Sequence, residues 1–330
     1  MSNTKPGRLG RIGLPCVLFA GAFAGADVAV AQDFPTKAIR LIVPFAPGGS
    51  QDIIARLLAA RLPERLGHAV VVDNRGGAGG TIGVELASQA KPDGYTLLII
   101  AGSYVINNVV HTKLRYDPNR SFAPVAKLGE GDSVISIYPG LPVNSIRELI
   151  ALAKREPGKL NYSTAGLGGY GHLGVALFVT MAGIEVEAVH FKGAGPAMID
   201  TMAGNTHITF GSVFQQLPHI QTGKLKALGI GGMKRSSILP GVPTVDEEGL
   251  KGYETPVWWG ILAPAGTPRA IVARLSAEIA IVLDYPEIKK IFVSQGAVVD
   301  HAGPAEFGKF LAVEQAKWAE VVKKARVRVE

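Results

Sequence analysis

The chain has 330 residues, 47% of them hydrophobic and 18% charged, with a net charge of +7, one cysteine and 41 glycines. The positive excess is spread along the sequence, without a lysine and arginine cluster interleaved with aromatics, which argues against a nucleic-acid partner and leaves attraction to anionic solutes or envelope surfaces. With a single cysteine, no internal disulfide forms, and stability has to come from a packed core.

Residues 1–31 read as an export signal: Lys5, Arg8 and Arg11 precede an apolar stretch from Ile12 to Ala24, and Ala29-Val30-Ala31 offers small residues for cleavage. The apolar run is too short for a membrane anchor and is followed by Asp27. Cys16 lies very early behind a poor lipidation run-up, Gly13-Leu14-Pro15, so a lipoprotein is disfavoured. Cleavage near Ala31 removes Cys16, leaves 299 residues and lowers the charge from +7 to +5. That length fits two ordinary domains in an exported, thiol-free protein.

Strand-like and helix-like patterns then alternate, the mark of α/β architecture with mainly parallel sheets. A first strand over Ile39 to Phe45 breaks at Pro44-Phe45-Ala46-Pro47-Gly48-Gly49-Ser50-Gln51-Asp52 into a helix running to about Leu66, with Ile53, Ile54, Leu57, Leu58 and Leu62 as its apolar stripe. Such a junction aims unpaired N–H groups and a helix dipole at one spot, and so favours an anion. It holds no lysine or arginine, so amides from Ala46, Gly48, Gly49, Ser50 or Gln51 supply the grip. Asp52 is a first-turn residue that caps local N–H groups by default and, as a functional alternative, receives an ammonium or hydroxyl of a ligand. Phe45 is an apolar wall of a cleft or a core residue.

Ala69 to Val72 is the second strand, and Asn74 to Gly80 leads through glycines into a helix from Thr81. Pro92-Asp93-Gly94 turns into a third strand, Tyr95 to Ile100, ending at Ala101, Gly102 and Ser103. A second block opens near Gly131 with a strand over Ser133 to Tyr138 and a helix whose capping box is Ser145 and Glu148. The strand Leu160 to Ser163 runs into Thr164-Ala165-Gly166-Leu167-Gly168-Gly169 and a helix from about His172 to Met181. Val186 to Phe191, Lys192-Gly193 and a helix over Pro196 to Met202 repeat that grammar. Four glycine-rich strand-to-helix junctions, two per block, point to a ligand cleft. A third block passes through a strand at Trp258 to Leu262 and ends in helices over Pro268 to Leu283, Pro286 to Ser294 and Ala305 to Lys324. Trp258 and Trp259 alternate faces, so at most one meets the cleft.

The chemical motifs are few. Gly166, Gly168 and Gly171 match G-x-G-x-x-G, but mid-chain in an exported protein the pattern is a poor dinucleotide fingerprint, and no cofactor is expected. No P-loop sequence occurs, and the seven histidines show no i, i+4 pair, so no metal site is expected. Ser50, Ser103 and Ser163 lie at strand ends but not in G-x-S-x-G, and with Thr164 they read as hydrogen-bond donors to a carboxylate. Lys192 either pairs a ligand carboxylate or points into solvent, and His172 stands directly behind a glycine loop.

Taken together, the segments resemble the periplasmic substrate-binding proteins of tripartite tricarboxylate transporters, the Bug receptors. The matches run from Phe34-Pro35-Thr36-Lys37 and Pro44 to Ser50, through Pro92 to Leu97, Ser163 to Gly166, His172-Leu173 and Lys192-Gly193, to Leu239 to Thr244 and Trp259 to Pro268. The resemblance implies a type II periplasmic-binding-protein fold with a ligand cleft between two α/β lobes. It divides the chain into the signal, a first lobe of 32–130 plus 253–330, and a second lobe of 131–252. It also implies a carboxylate ligand, held by Phe45 to Asp52 and Ala101 to Ser103 in the first lobe and by Ser163 to Gly168 with Phe191, Lys192 and Gly193 in the second. The segment Thr206 to Ser212 departs from the family pattern, in which an acid often stands near His207 and an acid or small polar residue near Gly211. The expectation is a monomeric receptor, not an enzyme, that delivers a mono-, di- or tricarboxylate, or an amide or aromatic relative, to membrane transporter subunits. An exported hydrolase or cofactor enzyme in the same cleft, and a sensor subunit without a transport role, are the alternatives.

Overall fold

The computed structural model describes residues 1–4, 34–111 and 113–325. Apart from residues 1–4, the segment read as an export signal lies outside that set.

Eleven strands are described, in two sheets. The first sheet is built from β1 (Ile39–Val43), β2 (Val70–Asn74), β3 (Thr96–Ala101), β4 (Phe122–Gly131), β10 (Val257–Pro264) and β11 (Ala297–Ala302), in the order β11-β4-β10-β3-β1-β2. The second contains β5 (Ser133–Ile137), β6 (Asn161–Thr164), β7 (Glu187–His190), β8 (Ile208–Ser212) and β9 (Lys226–Ile230), in the order β7-β6-β8-β5-β9. Strands β1, β2 and β3 are parallel, as are β6, β7 and β8, while β10 runs antiparallel to β3 and β5 antiparallel to β8. The chain leaves the first sheet at Gly131 and returns at Val257. Thus β10 and β11 complete the first sheet.

The helices are α1 (Ser50–Leu66), α2 (Thr81–Ser88), α3 (Gly102–Val110), α4 (Ile146–Arg155), α5 (Tyr170–Ala182), α6 (Ala194–Met202), α7 (Val213–Gln221), α8 (Arg269–Asp284), α9 (Pro286–Ser294) and α10 (Pro304–Ala325). Local chemistry sets their ends. Helix α1 stops at Gly67, whose φ of 72° lets its N–H return to Pro63 O at 2.9 Å. Helix α4 starts as expected, with Ser145 Oγ accepting from Glu148 N–H at 3.1 Å. The Glu148 carboxylate, however, reaches Asn144 N–H at 2.7 Å, one residue before the cap, so the box is offset by one.

Two differences from the expected elements matter for the site. Helices α5 and α6 begin two residues earlier than read, at Tyr170 and Ala194, because the glycines before them supply the extended caps. The run Ile208–Ser212 is a fully buried strand that feeds α7, a fifth junction without a glycine-rich loop.

Alternation along β10 splits the two indoles. Trp259 faces the core under α1 and α8, 5.6 Å from the Phe214 ring of α7. Trp258 faces the opposite core under α10, with Phe310 at 5.2 Å and its Nε1–H donating to Glu314 Oε2 at 2.8 Å. A separate core built on Ile135, Phe178 and Phe210 fills the second lobe. Each buried large side chain contributes roughly 1.5–3 kcal/mol, so each lobe carries its own apolar scaffold and leaves the strand ends free for polar work.

Candidate functional site

A cavity of about 60 Å³ lies where the C-terminal ends of β1, β3, β6 and β8 meet, the usual ligand position in open α/β sheets. Each of these strands hands over to a helix, and the starts of α1, α3 and α5 have no side-chain cap from their own chain neighbourhood. Their first-turn N–H groups therefore need partners from elsewhere.

Two of those partners come from across the cleft. Ser50 N–H, at the start of α1, donates to Gln215 Oε1 of α7 at 2.9 Å. Tyr170 N–H, at the start of α5, donates to Ser103 Oγ of α3 at 2.9 Å. A third bond runs from Ala46 N–H to Lys192 O at 3.0 Å. Close backbone packing accompanies them: at Gly48, with φ of 92°, a Cβ would come within 3.4 Å of Gly195 Cα in the other lobe. The lobes are thus closed on one another, with the cavity between.

The cavity wall from the first lobe contains Phe45, Ala46, Gly49, Ser50 and Asp52, with Ala101, Gly102 and Ser103. Ser163, Thr164 and Ala165 face it from the second. Five other expected residues do not line it: Gly48, Gly168, Phe191, Lys192 and Gly193. Lys192 is exposed and takes part in closure through its carbonyl alone. Phe191 N–H pairs with Thr164 O at 2.8 Å and so extends the β6 edge. Gly168 packs instead against α3, where a Cβ would lie 3.0 Å from His111 Nε2.

The single carboxylate on the wall, Asp52, is 4% exposed and already engaged. It accepts from Gly48 N–H at 3.0 Å, from Asn74 Nδ2 at 2.9 Å and from Arg56 Nε at 3.1 Å. Burial pushes its pKa up, but the Arg56, Gly48 and Asn74 hydrogen bonds outweigh that and hold it below the ordinary carboxylate value. Asp52 therefore braces the loop before α1. Trp259 braces the same corner, its Nε1–H donating to Ser50 Oγ at 3.0 Å, so one indole of the pair does face the cleft side without lining the cavity.

The enzymatic alternatives find no assembled constellation in these contacts. Ser163 Oγ is 2.8 Å from Thr201 Oγ1 and is not paired with a histidine. His172 accepts from Gly168 N–H at 3.3 Å, and its ring lies 5.4 Å from that of His190. Burial, with the His190 charge second, pulls its pKa down to about 4. The Gly166 loop is filled by the other lobe, since a Cβ there would sit 2.7 Å from Gly79 N. Among the described residues no three potential metal ligands cluster.

Several wall residues were not anticipated: Tyr170 and Gly171, then Thr209 to Ser212, Gln215 and Val257, whereas Gln51 was expected through its backbone amide. A signal for most of them existed. Ile208–Ser212 followed by Val213 has the same strand-to-helix grammar as the glycine junctions, but without a glycine run it stands out in the sequence only as a departure from the family pattern.

A model of the tripartite tricarboxylate transporter family receptor matches residues 54–327. The protein BugT of Bordetella pertussis is 34% identical over 312 residues, 94% of this chain and 96% of its own length. The structure of R. palustris Rpa4515 with adipate shares 35% identity and a TM-score of 0.86, covering 90% of this chain and 99% of that one. The structure of the periplasmic binding protein BugD shares 33% identity and a TM-score of 0.87, covering 90% and 100%.

Proposed function

The chain belongs to the tripartite tricarboxylate transporter receptor family and has its two-lobed periplasmic-binding-protein fold; on that premise we propose that it is an exported receptor that closes on a small organic carboxylate and delivers it to membrane transporter subunits. The observation that carries this reading is the convergence of helix starts lacking local caps on one cavity whose wall holds no lysine, arginine or histidine. Oriented N–H dipoles hold a carboxylate without a counter-ion, and they release it when the lobes part. The chain performs no chemistry in this role. Its binding residues are the expected loop residues on the wall, with Gly48, Gly168, Lys192 and Gly193 acting in closure and Phe191 supporting the β6 edge. The lobes divide at 130/131 and 252/253, and the export signal is removed near Ala31.

The adipate-bound relative supports the ligand class. Titration calorimetry against mono-, di- and tricarboxylates tests it. Micromolar binding of at least one is expected, and no binding by a folded protein across the panel would refute the carboxylate reading. Replacing Gly49 by Trp, which fills the space beside Ala194 and Gln215, is expected to abolish that binding while circular dichroism stays unchanged.

A further inference from the structure

Gln215 sits in the first turn of α7, on the cavity wall, 6% exposed. Its orientation is not ambiguous. Ser50 N–H can only donate, so the atom 2.9 Å away is the amide oxygen. That bond fixes the other end of the amide, and Nε2 has no hydrogen-bond partner among the described residues. Nε2 keeps solvent access on the wall that Gln215 lines, so it can donate to an acceptor held in the cavity.

Room for this group is made by Gly211. A Cβ at that position would lie 2.5 Å from Gln215 Nε2, so any side chain there evicts the amide from its place. Glycine at 211 and glutamine at 215 therefore form one device, a neutral donor seated at the end of β8.

The charge on the wall completes the argument. Asp52 is the one lining carboxylate, and Arg56, Asn74 and Gly48 N–H already occupy its oxygens. A ligand ammonium would be buried without a counter-charge, next to a group that can only donate. An acceptor oxygen in the same place finds Nε2 ready.

We infer that Gln215, seated by Gly211, is a specificity-determining residue of the cavity: it selects organic acids that present an acceptor oxygen to its NH2 and rejects the amino-acid counterpart of the same acid. The inference rests on the receptor reading above and names which carboxylates that receptor takes.

Matched pairs that differ by one amino group test it: propionate and alanine, succinate and aspartate, glutarate and glutamate, adipate and 2-aminoadipate. At least one acid is expected to bind, with its amino counterpart weaker by at least about 100-fold. Gln215→Glu keeps an oxygen for Ser50 N–H but replaces the donor by a negative charge. Acid binding is expected to fall by about 100-fold, and the gap within each pair to narrow by about 10-fold. Gly211→Ala, which displaces the amide by a single methyl, provides a second route to weaker acid binding.

If Gln215 only fastens the two lobes, Gln215→Glu binds the acid as well as the parent protein does, and the inference falls. It also falls if acid and amino acid bind the parent protein equally, which leaves the carboxylate receptor standing. If neither member of any pair binds, the inference falls together with the receptor reading.

Discussion

Helices in this protein begin in two ways. Helices α4 and α7 are capped by their own residues, Ser145 Oγ accepting from Glu148 N–H and Ser212 Oγ from Phe214 N–H. Helices α1 and α5 are capped from the opposite lobe, by Gln215 and by Ser103. The chemistry is the same, an oxygen satisfying a first-turn donor, but the consequences differ. A cap from the adjoining residue stabilises a helix whether or not the lobes meet. A cap from across the cleft exists only when they meet, so it links helix satisfaction to closure and to whatever occupies the cavity.

The sharpest way to break that distinction is to keep the lobes apart. Gly195 lies against Pro47, where a Cβ would collide with the Pro47 carbonyl. Gly195→Val is expected to weaken carboxylate binding by at least about 100-fold, as read by calorimetry, while the melting temperature stays within a few degrees. A large fall in melting temperature with unchanged affinity would mean that the contact serves folding.

Acid offers the next probe, because the loop before α5 depends on a neutral imidazole. His172 Nδ1 accepts from Gly168 N–H, which requires that nitrogen to be unprotonated. The unfolded ring gains its proton near 6.5 and the folded ring only near 4. Between those values the unfolded state binds more protons, so stability falls as pH drops from about 6.5 to about 4, by up to roughly 3 kcal/mol. Denaturant titrations at stepped pH, with and without His172→Gln, check this. A pH slope that survives the substitution would assign the effect elsewhere.

Two serines then separate the two kinds of cap. Ser145→Ala is expected to cost about 1 kcal/mol of stability with unchanged ligand affinity. Ser103→Ala is expected to weaken binding about 5–10-fold, the equivalent of about 1 kcal/mol, with little change in stability. Reversed outcomes in paired calorimetry and thermal melts would erase the distinction. The smallest effect belongs to Trp259→Phe, which removes the indole N–H from Ser50 Oγ but leaves a ring. A few-fold loss of affinity is expected, and none at all would place Ser50 Oγ outside ligand binding.

Much of this was legible in the sequence because its signals are local. The run Ile39–Val43 breaking at Pro44, the α1 stripe of Ile54, Leu58 and Leu62, and the Ser145 cap each depend on residues a few positions apart. The glycine junctions exposed most of the first-lobe wall for the same reason. Gln215, Tyr170 and Phe210 escaped because each acquires its role from a distant partner: Gln215 from Ser50, Tyr170 from Ser103, Phe210 from the Tyr170 ring 5.3 Å away. Lys192 fits the solvent-facing one of its two readings. Its charge drew attention, whereas its carbonyl makes the contact.

Amide hydrogen exchange at single-residue resolution reaches the central claim most directly, using the full mature chain with and without the tightest carboxylate from the panel. Protection of Ser50 and Tyr170 N–H is expected to rise when ligand closes the lobes, while Glu148 and Phe214 N–H remain equally protected in both states. Equal protection of all four amides with and without ligand would contradict the account, because caps across the cleft would then be as permanent as caps within a lobe.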